Sequence, residues 1–285
     1  MDNEFLLHFV SVTIFTLMLA IGVNHSVRED IALWRQPGVL LRALLAVIVL
    51  VPLLVALLLW AFDLPPAVAT GLAILAAAPG APLTTKRSQM AGGDTAFASS
   101  LQLTLALLAV LVTPLILTIF YALFELETET VTPFQVARQI ALVTFLPVTI
   151  GLLLRHFAPR LVERIGKPIN LLAHILFLSL VVVVIAVLVF VPHVRAMLLL
   201  GWQPIIAIVI MVLVSLAIGH LLGGPARDQR STLAIASIAR NVGLALFIAS
   251  LSEAGHRFIP TLVAYMILGA IVAIPYAVWN KRHSR

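Results

Sequence analysis

The sequence contains no cysteine among its 285 residues and few charged side chains, which make up 11% of the chain. The absence of cysteine excludes disulfides, thiolate metal sites, iron–sulfur clusters and cysteine nucleophiles. The scarcity of charge excludes an ordinary soluble enzyme, because soluble domains average about 25% charged residues. What remains to be explained is therefore the apolar majority of the chain.

Apolar residues make up 62% of the sequence, and the mean hydropathy is +1.13. A helix that crosses a membrane needs about 20 such residues. The pattern of apolar runs, charge clusters and Pro/Gly positions predicts an all-α polytopic membrane protein with about nine transmembrane helices in a single domain, 1–285. The predicted spans are 5–26, 38–62, 66–90, 95–124, 133–154, 169–192, 201–223, 230–251 and 257–279.

Basic residues are concentrated in alternate loops. Loops of one side hold 14 of the 18 lysines and arginines, whereas the other side holds three of them and seven of the 12 acidic residues. The positive-inside rule then predicts an N-terminus outside and a C-terminus in the cytoplasm, with no cleaved leader. The basic loops lie at 28–42, 86–87, 155–167, 227–230 and 281–285. The opposite loops carry Arg138, Arg195 and Arg257 and the acids Asp2, Glu4, Asp63, Glu125, Glu127, Glu129 and Glu253.

Two of the predicted spans are interrupted near their centres. The third contains Pro79, Gly80 and Pro82, and prolines there remove amide donors and clash with the preceding turn. The eighth contains Arg240, Asn241 and Gly243 at the corresponding depth. Interrupted spans at matching places of two half-sequences indicate the binding site of a secondary transporter. The alternatives are a purely structural proline kink in the third span and, in the eighth, an arginine that only pairs with nearby carbonyls.

The fourth span places small and polar residues on one helix face. They recur at steps of three and four residues, which keeps them on the side of a cavity. Small residues also permit close helix contacts, which explains the two alanines. Gln102 needs polar partners in a hydrocarbon environment, and the ends of the interrupted third span would supply them. The face consists of Thr95, Ser99, Gln102, Ala106, Ala109 and Thr113.

Three motifs in this order resemble the bile acid:sodium symporter family of the BART superfamily of secondary transporters. They are Ala78-Pro79-Gly80-Ala81-Pro82, the run TPLIL at 113–117 and Arg240-Asn241-Val242-Gly243-Leu244-Ala245. The resemblance extends from Thr16 to about Ala277. It implies two inverted repeats, here of four and five spans, in which two broken helices cross.

The same resemblance implies a set of sodium ligands that this sequence has changed. A Ser-Asn pair of the family falls on Thr84 and Thr85, and two polar positions of the next helix fall on Ala98 and Gln102. A glutamate falls on Ala236 and a glutamine on Arg240, with Lys86 near the other site. A fixed positive charge disfavours a bound cation, so we expect transport that does not require sodium. With no cysteine and no histidines at metal-ligand spacing we expect no metal site, and no motif indicates a cofactor.

The remaining chemistry is sparse. The eight histidines show no metal-ligand spacing, and HExxH and GxSxG motifs are absent, so no enzyme is predicted. The missing cysteine also argues against the arsenite-efflux branch of the superfamily. The basic residues form no stripe, so nucleic acid is not an expected partner.

Three functions therefore stay open. The first is a carrier of a small organic anion bound by Arg240 and Lys86. The second is a proton-coupled, sodium-coupled or facilitative carrier of another solute, in which both residues are structural. The third is a channel-like membrane protein. We expect an integral protein of a bacterial inner (plasma) membrane in contact with lipid, and the sequence leaves the oligomeric state open. The candidate substrate- or ion-binding residues are Thr84, Thr85, Lys86, Ser99, Gln102, Arg240 and Asn241, and the candidate hinges are Pro79, Gly80, Pro82 and Gly243.

Overall fold

The computed structural model describes residues 3–25, 33–124, 126, 133–190 and 201–283. Within these ranges every regular element is helical. In chain order they are α1 (Asn3–Asn24); α2 (Pro37–Leu44, continued by a π-helical turn, Leu45–Leu50, and by Val51–Ala61); α3 (Pro66–Ala77); α4 (Thr84–Met90); α5 (Thr95–Leu123); α6 (Pro133–Ile140, continued by Ala141–Phe145 and Leu146–Phe157); α7 (Pro159–Phe190); α8 (Trp202–Leu222); α9 (Arg227–Ile238); α10 (Val242–Ser250); and α11 (Ile259–His283) after a short 3-10 turn, Glu253–Arg257.

Each of the nine predicted segments contains helix. In the described ranges, seven helical stretches are long and apolar enough to cross a membrane, and two shorter apolar helices, His8–Asn24 and Pro66–Ala77, accompany them. The segment predicted at 66–90 holds α3 and α4, and the segment at 230–251 holds α9 and α10. The all-helical membrane class is thus confirmed, while the count of nine spans stays a prediction.

The largest difference from the predicted boundaries lies at the start of α7. The helix begins at Pro159, whereas the hydropathy pattern places the start of the span at 169. Proline is compatible with a first helical turn. Behind it, Val162 and Gly166 are buried one turn apart, while Arg160 and Arg164 remain exposed. Hydropathy marks the apolar part of this helix and misses its charged first turns.

Helices α1, α6 and α7 pack against one another on one side of the molecule. The crossing of α1 and α6 depends on two glycines, because a Cβ on Gly151 would lie 2.7 Å from the Leu19 carbonyl oxygen. Asn24 and Asn170 exchange two amide hydrogen bonds, of 2.6 and 2.9 Å, and join α1 to α7. On the other side, α8 packs against α2, α9 and α11.

Four of the five basic loops, those at 28–42, 86–87, 227–230 and 281–285, come together at one end of the molecule. The Ala91 carbonyl oxygen, just after α4, accepts hydrogen bonds from Ser231 Oγ at 2.9 Å and Asn280 Nδ2 at 2.8 Å. Arg42 lies beside Gly224 at the same end. The side of the membrane that this end faces stays a prediction. Of the charges used for the orientation, Asp2, Arg28, Glu125, Glu127, Glu129, Arg195 and Arg285 lie outside the described residues.

Candidate functional site

The two non-helical segments that interrupt the third and eighth predicted spans lie side by side. Ala81 N donates to the Ala239 carbonyl oxygen at 3.0 Å, and Asn241 N donates to the Ala78 carbonyl oxygen at 2.9 Å. Each segment therefore satisfies backbone groups of the other where a helix would have satisfied its own. The pair of bonds fixes 78–83 against 239–241, and we call this region the crossing.

Local sequence explains why the chain leaves the helix here. Pro79 and Pro82 lack the amide hydrogen that a helix requires. Gly80 has a φ of +76°, and a Cβ at this position would lie 2.8 Å from Leu105 Cβ. On the other segment, Asn241 Oδ1 accepts a hydrogen bond from Leu244 N at 3.0 Å and caps α10. Gly243 lies in the first turn of α10 without a positive φ, so this conformation does not require glycine there.

Arg240 is buried at the crossing, with 3% of its surface exposed. Nη1 donates to the Ala76 carbonyl oxygen at 3.3 Å, and Nη2 donates to the Val47 carbonyl oxygen at 3.0 Å. Ala76 is in the last turn of α3, where carbonyls lack helical partners, and Val47 is in the π-helical turn of α2. Nε is enclosed and has no hydrogen-bond partner among the described residues, and the Tyr265 side chain lies close enough to the guanidinium to interact with it. The guanidinium thus joins α2 to α3 and keeps one buried donor unused.

A cavity of about 100 Å³ opens beside the guanidinium. Part of its lining comes from the crossing, α10 and α11, and the rest comes from α1 and α7. Its charged and polar side chains are those of Arg87, Arg240, Tyr265 and Asn241. None of its described lining residues is acidic. The other lining residues are Leu17, Ala81, Pro82, Leu83, Phe177, Leu180, Val181, Ile238, Val242, Gly243, Leu246, Val263, Met266 and Gly269.

The predicted site residues fall into two places. Arg240, Asn241, Pro82 and Gly243 line the cavity. Seven other predicted residues do not line it, and one of them, Lys86, is exposed; the remaining six are Pro79, Gly80, Thr84, Thr85, Ser99 and Gln102.

Gln102 and Thr85 form a separate polar contact at the start of α4. Gln102 Oε1 accepts from Thr85 N at 3.1 Å and from Thr85 Oγ1 at 2.9 Å. Thr84 Oγ1 donates to the Ala81 carbonyl oxygen at 2.7 Å. Ser99 lies farther along, with its hydroxyl 3.2 Å from His25 Nδ1. These bonds tie α4 and α5 to the crossing, but they place no side-chain oxygen in the cavity.

Sequence reasoning missed several lining residues. Arg87, the neighbour of Lys86, is half-buried and faces the cavity. Its position one turn after Leu83, which follows the interruption, could have revealed it. Tyr265 donates its hydroxyl to the Ile238 carbonyl oxygen at 2.8 Å and so satisfies the last turn of α9. Leu17 and Phe177 come from distant apolar helices, where no local signal distinguishes them.

Comparison with known families agrees with this architecture. Residues 11–191, more than half of the chain, match the family model of the sodium bile acid symporter family. No curated protein matches the chain. Members of the family are membrane transporters rather than enzymes. A chain of apolar helices that matches this family over most of its first two thirds is an integral membrane protein of the transport class, and it belongs to the sodium bile acid symporter family.

Proposed function

We propose that this chain is a secondary transporter of a small organic anion and that the anion binds in the cavity at the crossing. The observation that carries the proposal is Arg240, a guanidinium buried at this depth with Nε unpartnered beside an open cavity. An arginine at the centre of a membrane helix costs roughly 2.5–3.5 kcal/mol. An anion in the cavity would offset part of that cost through its attraction to the guanidinium charge.

The architecture proposed is nine spans in inverted repeats of four and five, with the N-terminus outside. In this arrangement α3 and α4 form one interrupted span, and α9 and α10 form the other. The cavity lies between the crossing and the group α1, α6 and α7, which supports alternating access by movement of one group against the other. Leu17 and Phe177 of α1 and α7 and Arg240 of the crossing would then separate and approach during transport.

The charge of the cavity favours an anion. Arg87 and Arg240 supply two positive charges, and the described lining residues supply no negative one. A carboxylate or sulfonate can accept two parallel hydrogen bonds from a guanidinium. The same two charges oppose a bound sodium ion, which supports transport that does not require sodium. The apolar remainder of the lining fits a substrate with an apolar body.

A second role for Arg240 rests on its two backbone bonds. Nη1 and Nη2 satisfy carbonyls of α3 and α2, which would otherwise lack partners in an apolar interior. In this alternative the guanidinium is structural and the solute is of another kind. Arg240→Lys and Arg240→Gln distinguish the two roles, because lysine keeps the charge but loses the planar fork.

The experiment is thermal unfolding of the purified protein with a panel of organic acids, each as its sodium and its potassium salt. A ligand that binds only the folded protein stabilises it by about 2.7 kcal/mol at 100 times its Kd. We expect an acid with an apolar body to raise the melting temperature equally in both salts. Arg240→Lys should weaken this binding at least about tenfold, because a hydrogen bond to a charged group contributes about 1.5–3 kcal/mol.

A matched pair of neighbours provides the control. Arg87→Gln removes a charge from the cavity wall, whereas Lys86→Gln removes the same charge from an exposed position one residue away. We expect only the first to lower affinity. If Arg240→Lys binds the acid like wild type while Arg240→Gln merely lowers the melting temperature, the guanidinium is structural. Saturable uptake with counterflow in vesicles would separate a carrier from a channel.

A further inference from the structure

A second concave surface, with other lining residues than the cavity at the crossing, lies on the outside of the helices α8 and α11. These two helices run in the same direction, since Val212 lies beside Gly269 and, two turns later, His220 lies beside Tyr276. The groove between them has a volume of about 680 Å³. Its walls are apolar along most of its length, with side chains such as Leu213, Ala217 and Ile271. We call it the α8–α11 groove.

One end of the groove is polar and aromatic. His220 Nδ1 lies 2.9 Å from the Tyr276 hydroxyl. The rings of His220, Tyr276 and Trp279 form a cluster with centroids 5.8–6.0 Å apart. Trp279 is half exposed, so it is open to whatever fills the groove. Amphipathic rings of this kind are enriched where membrane hydrocarbon meets the headgroups.

The same end carries an excess of positive charge. Arg230 lies close enough to His220 and Tyr276 to interact electrostatically with both, and its Nε donates to the Gly224 carbonyl oxygen at 2.6 Å. Arg42 lies beside Gly224 as well. Further basic residues at this end are Arg227, Lys281 and Arg282. Acidic residues of the same end are Asp94, whose N donates to the Asp228 carbonyl oxygen at 3.4 Å, and Asp228.

The groove has the length of one membrane leaflet. Val209 and Leu221, at its two ends, are 12 residues apart on α8, which corresponds to about 18 Å at 1.5 Å per residue. Half of a hydrocarbon core about 30 Å thick is about 15 Å. An acyl chain could therefore lie along the groove while its headgroup remains at the ring cluster.

We propose that the α8–α11 groove binds an anionic phospholipid, with an acyl chain between the two helices and the phosphate near Arg230 and His220. Ordinary surrounding lipid covers convex helix faces without preference for headgroup. This site differs because a concave apolar channel ends at a cationic and aromatic cluster, the arrangement by which pockets between membrane helices select acidic headgroups. The proposal does not depend on the nature of the transported solute.

The fluorescence of Trp279 provides the test. The chain has four tryptophans, and the exposed Trp34, Trp60 and Trp202 are replaced by phenylalanine in every protein compared. Trp34 Nε1 donates to Thr104 Oγ1 at 3.0 Å, and Thr104 keeps its own bond to the Ser100 carbonyl oxygen when this donor is removed. The single-tryptophan protein is placed in vesicles of phosphatidylcholine and phosphatidylglycerol in which one lipid at a time has brominated acyl chains that quench tryptophan. We expect brominated phosphatidylglycerol to be preferred about fivefold at the groove, the effect of about one basic side chain near a membrane surface.

Variants assign the preference to this groove. Arg230→Gln should abolish it and Arg230→Lys should retain it. Arg160→Gln, which removes an exposed charge from α7, should leave it unchanged. Ala217 is exposed within the groove, so Ala217→Phe should fill the channel and reduce quenching by both lipids without changing any charge.

Three results would overturn the proposal. Equal quenching by the two brominated lipids would identify ordinary surrounding lipid. A preference that survives Arg230→Gln, or falls equally in Arg160→Gln, would identify the general surface charge. Weak quenching by either lipid, together with cross-linked pairs of chains at α8 and α11, would show that a second copy of the chain covers the groove.

Discussion

Gly80 lies within the crossing and Gly243 lies two residues after it, and the two positions differ in whether the structure requires glycine. Gly80 has a φ of +76°, and a Cβ there would lie 2.8 Å from Leu105 Cβ, on a fully buried residue of α5. Gly243 has no positive φ, and a Cβ would meet Asn241 Oδ1 at 3.4 Å and Ile14 Cγ1 at 3.6 Å, which are ordinary contacts. Replacing each glycine by alanine therefore tests the geometry of the crossing with the smallest possible side chain.

The two substitutions are expected to change the free energy of unfolding differently. For Gly80→Ala, the left-handed backbone costs about 1–2 kcal/mol, and forcing a methyl group into a packed interior costs about 1–3 kcal/mol. The variant should lose about 2–5 kcal/mol, or at least about 4 °C in melting temperature at the sensitivity of soluble domains of similar size. Gly243→Ala lies in a helix and should be neutral or more stable by up to about 1 kcal/mol.

Thermal unfolding of both variants in one detergent, without ligand, measures the difference. Because Gly243 lines the cavity, Gly243→Ala should also weaken binding of the organic acid while leaving the fold intact. The reasoning is refuted if Gly80→Ala has the melting temperature of the wild type, since Leu105 would then not pack against the interruption. It is equally refuted if Gly243→Ala unfolds as easily as Gly80→Ala.

Three further predictions concern the ion, the polar contact of α4 and the topology. Uptake of the transported acid should be the same in sodium and potassium media, because the cavity holds two arginines and no described acidic lining residue; a steep, saturable dependence on sodium would contradict this. Gln102→Leu should destabilise the protein by about 1–3 kcal/mol in thermal unfolding because it leaves two donors of Thr85 without an acceptor, whereas Gln102→Glu, which keeps an acceptor oxygen, should be milder. A reporter fused to the C-terminus should be active in the cytoplasm, and activity on the outer side would contradict the charge-based orientation.

Sequence alone predicted the parts of the structure that depend on local chemistry. Pro79 and Pro82 each lack the amide hydrogen of a helix, and α3 ends before them, at Ala77. The single prolines Pro114, Pro168 and Pro275 lie inside continuous helices, so it is the close pair with Gly80 between them that marks the interruption. Arg240 stands out in the sequence because an arginine within an apolar membrane segment is energetically costly and therefore indicates a structural or functional role. The start of α7 was missed for the same local reason, since its first turns are charged and exposed.

The cavity wall could not be predicted in the same way. Whether Lys86 or Arg87 faces inward depends on how a helix of only seven residues is rotated, and adjacent positions differ by about 100°. The lining from α1 and α7 includes Leu17 and Phe177, which are apolar residues among many on their helices. Their approach to Arg240 depends on the packing of α1 and α7, which no local pattern specifies.

The backbone groups freed at the crossing explain how one arginine can have two roles. The carbonyls of Ala78 and Ala239 accept from the opposite segment, and the carbonyl of Ile238 accepts from Tyr265. The terminal nitrogens of Arg240 satisfy two more carbonyls and thereby fix the plane of the guanidinium. Among the described residues that line the cavity, its Nε is then the buried side-chain polar atom left without a partner. In the proposed carrier, the bonds to the two carbonyls orient the guanidinium that binds the anion. The melting temperature without ligand and the affinity for the acid must therefore be measured on the same variants, because only both together separate the structural role of Arg240 from its binding role.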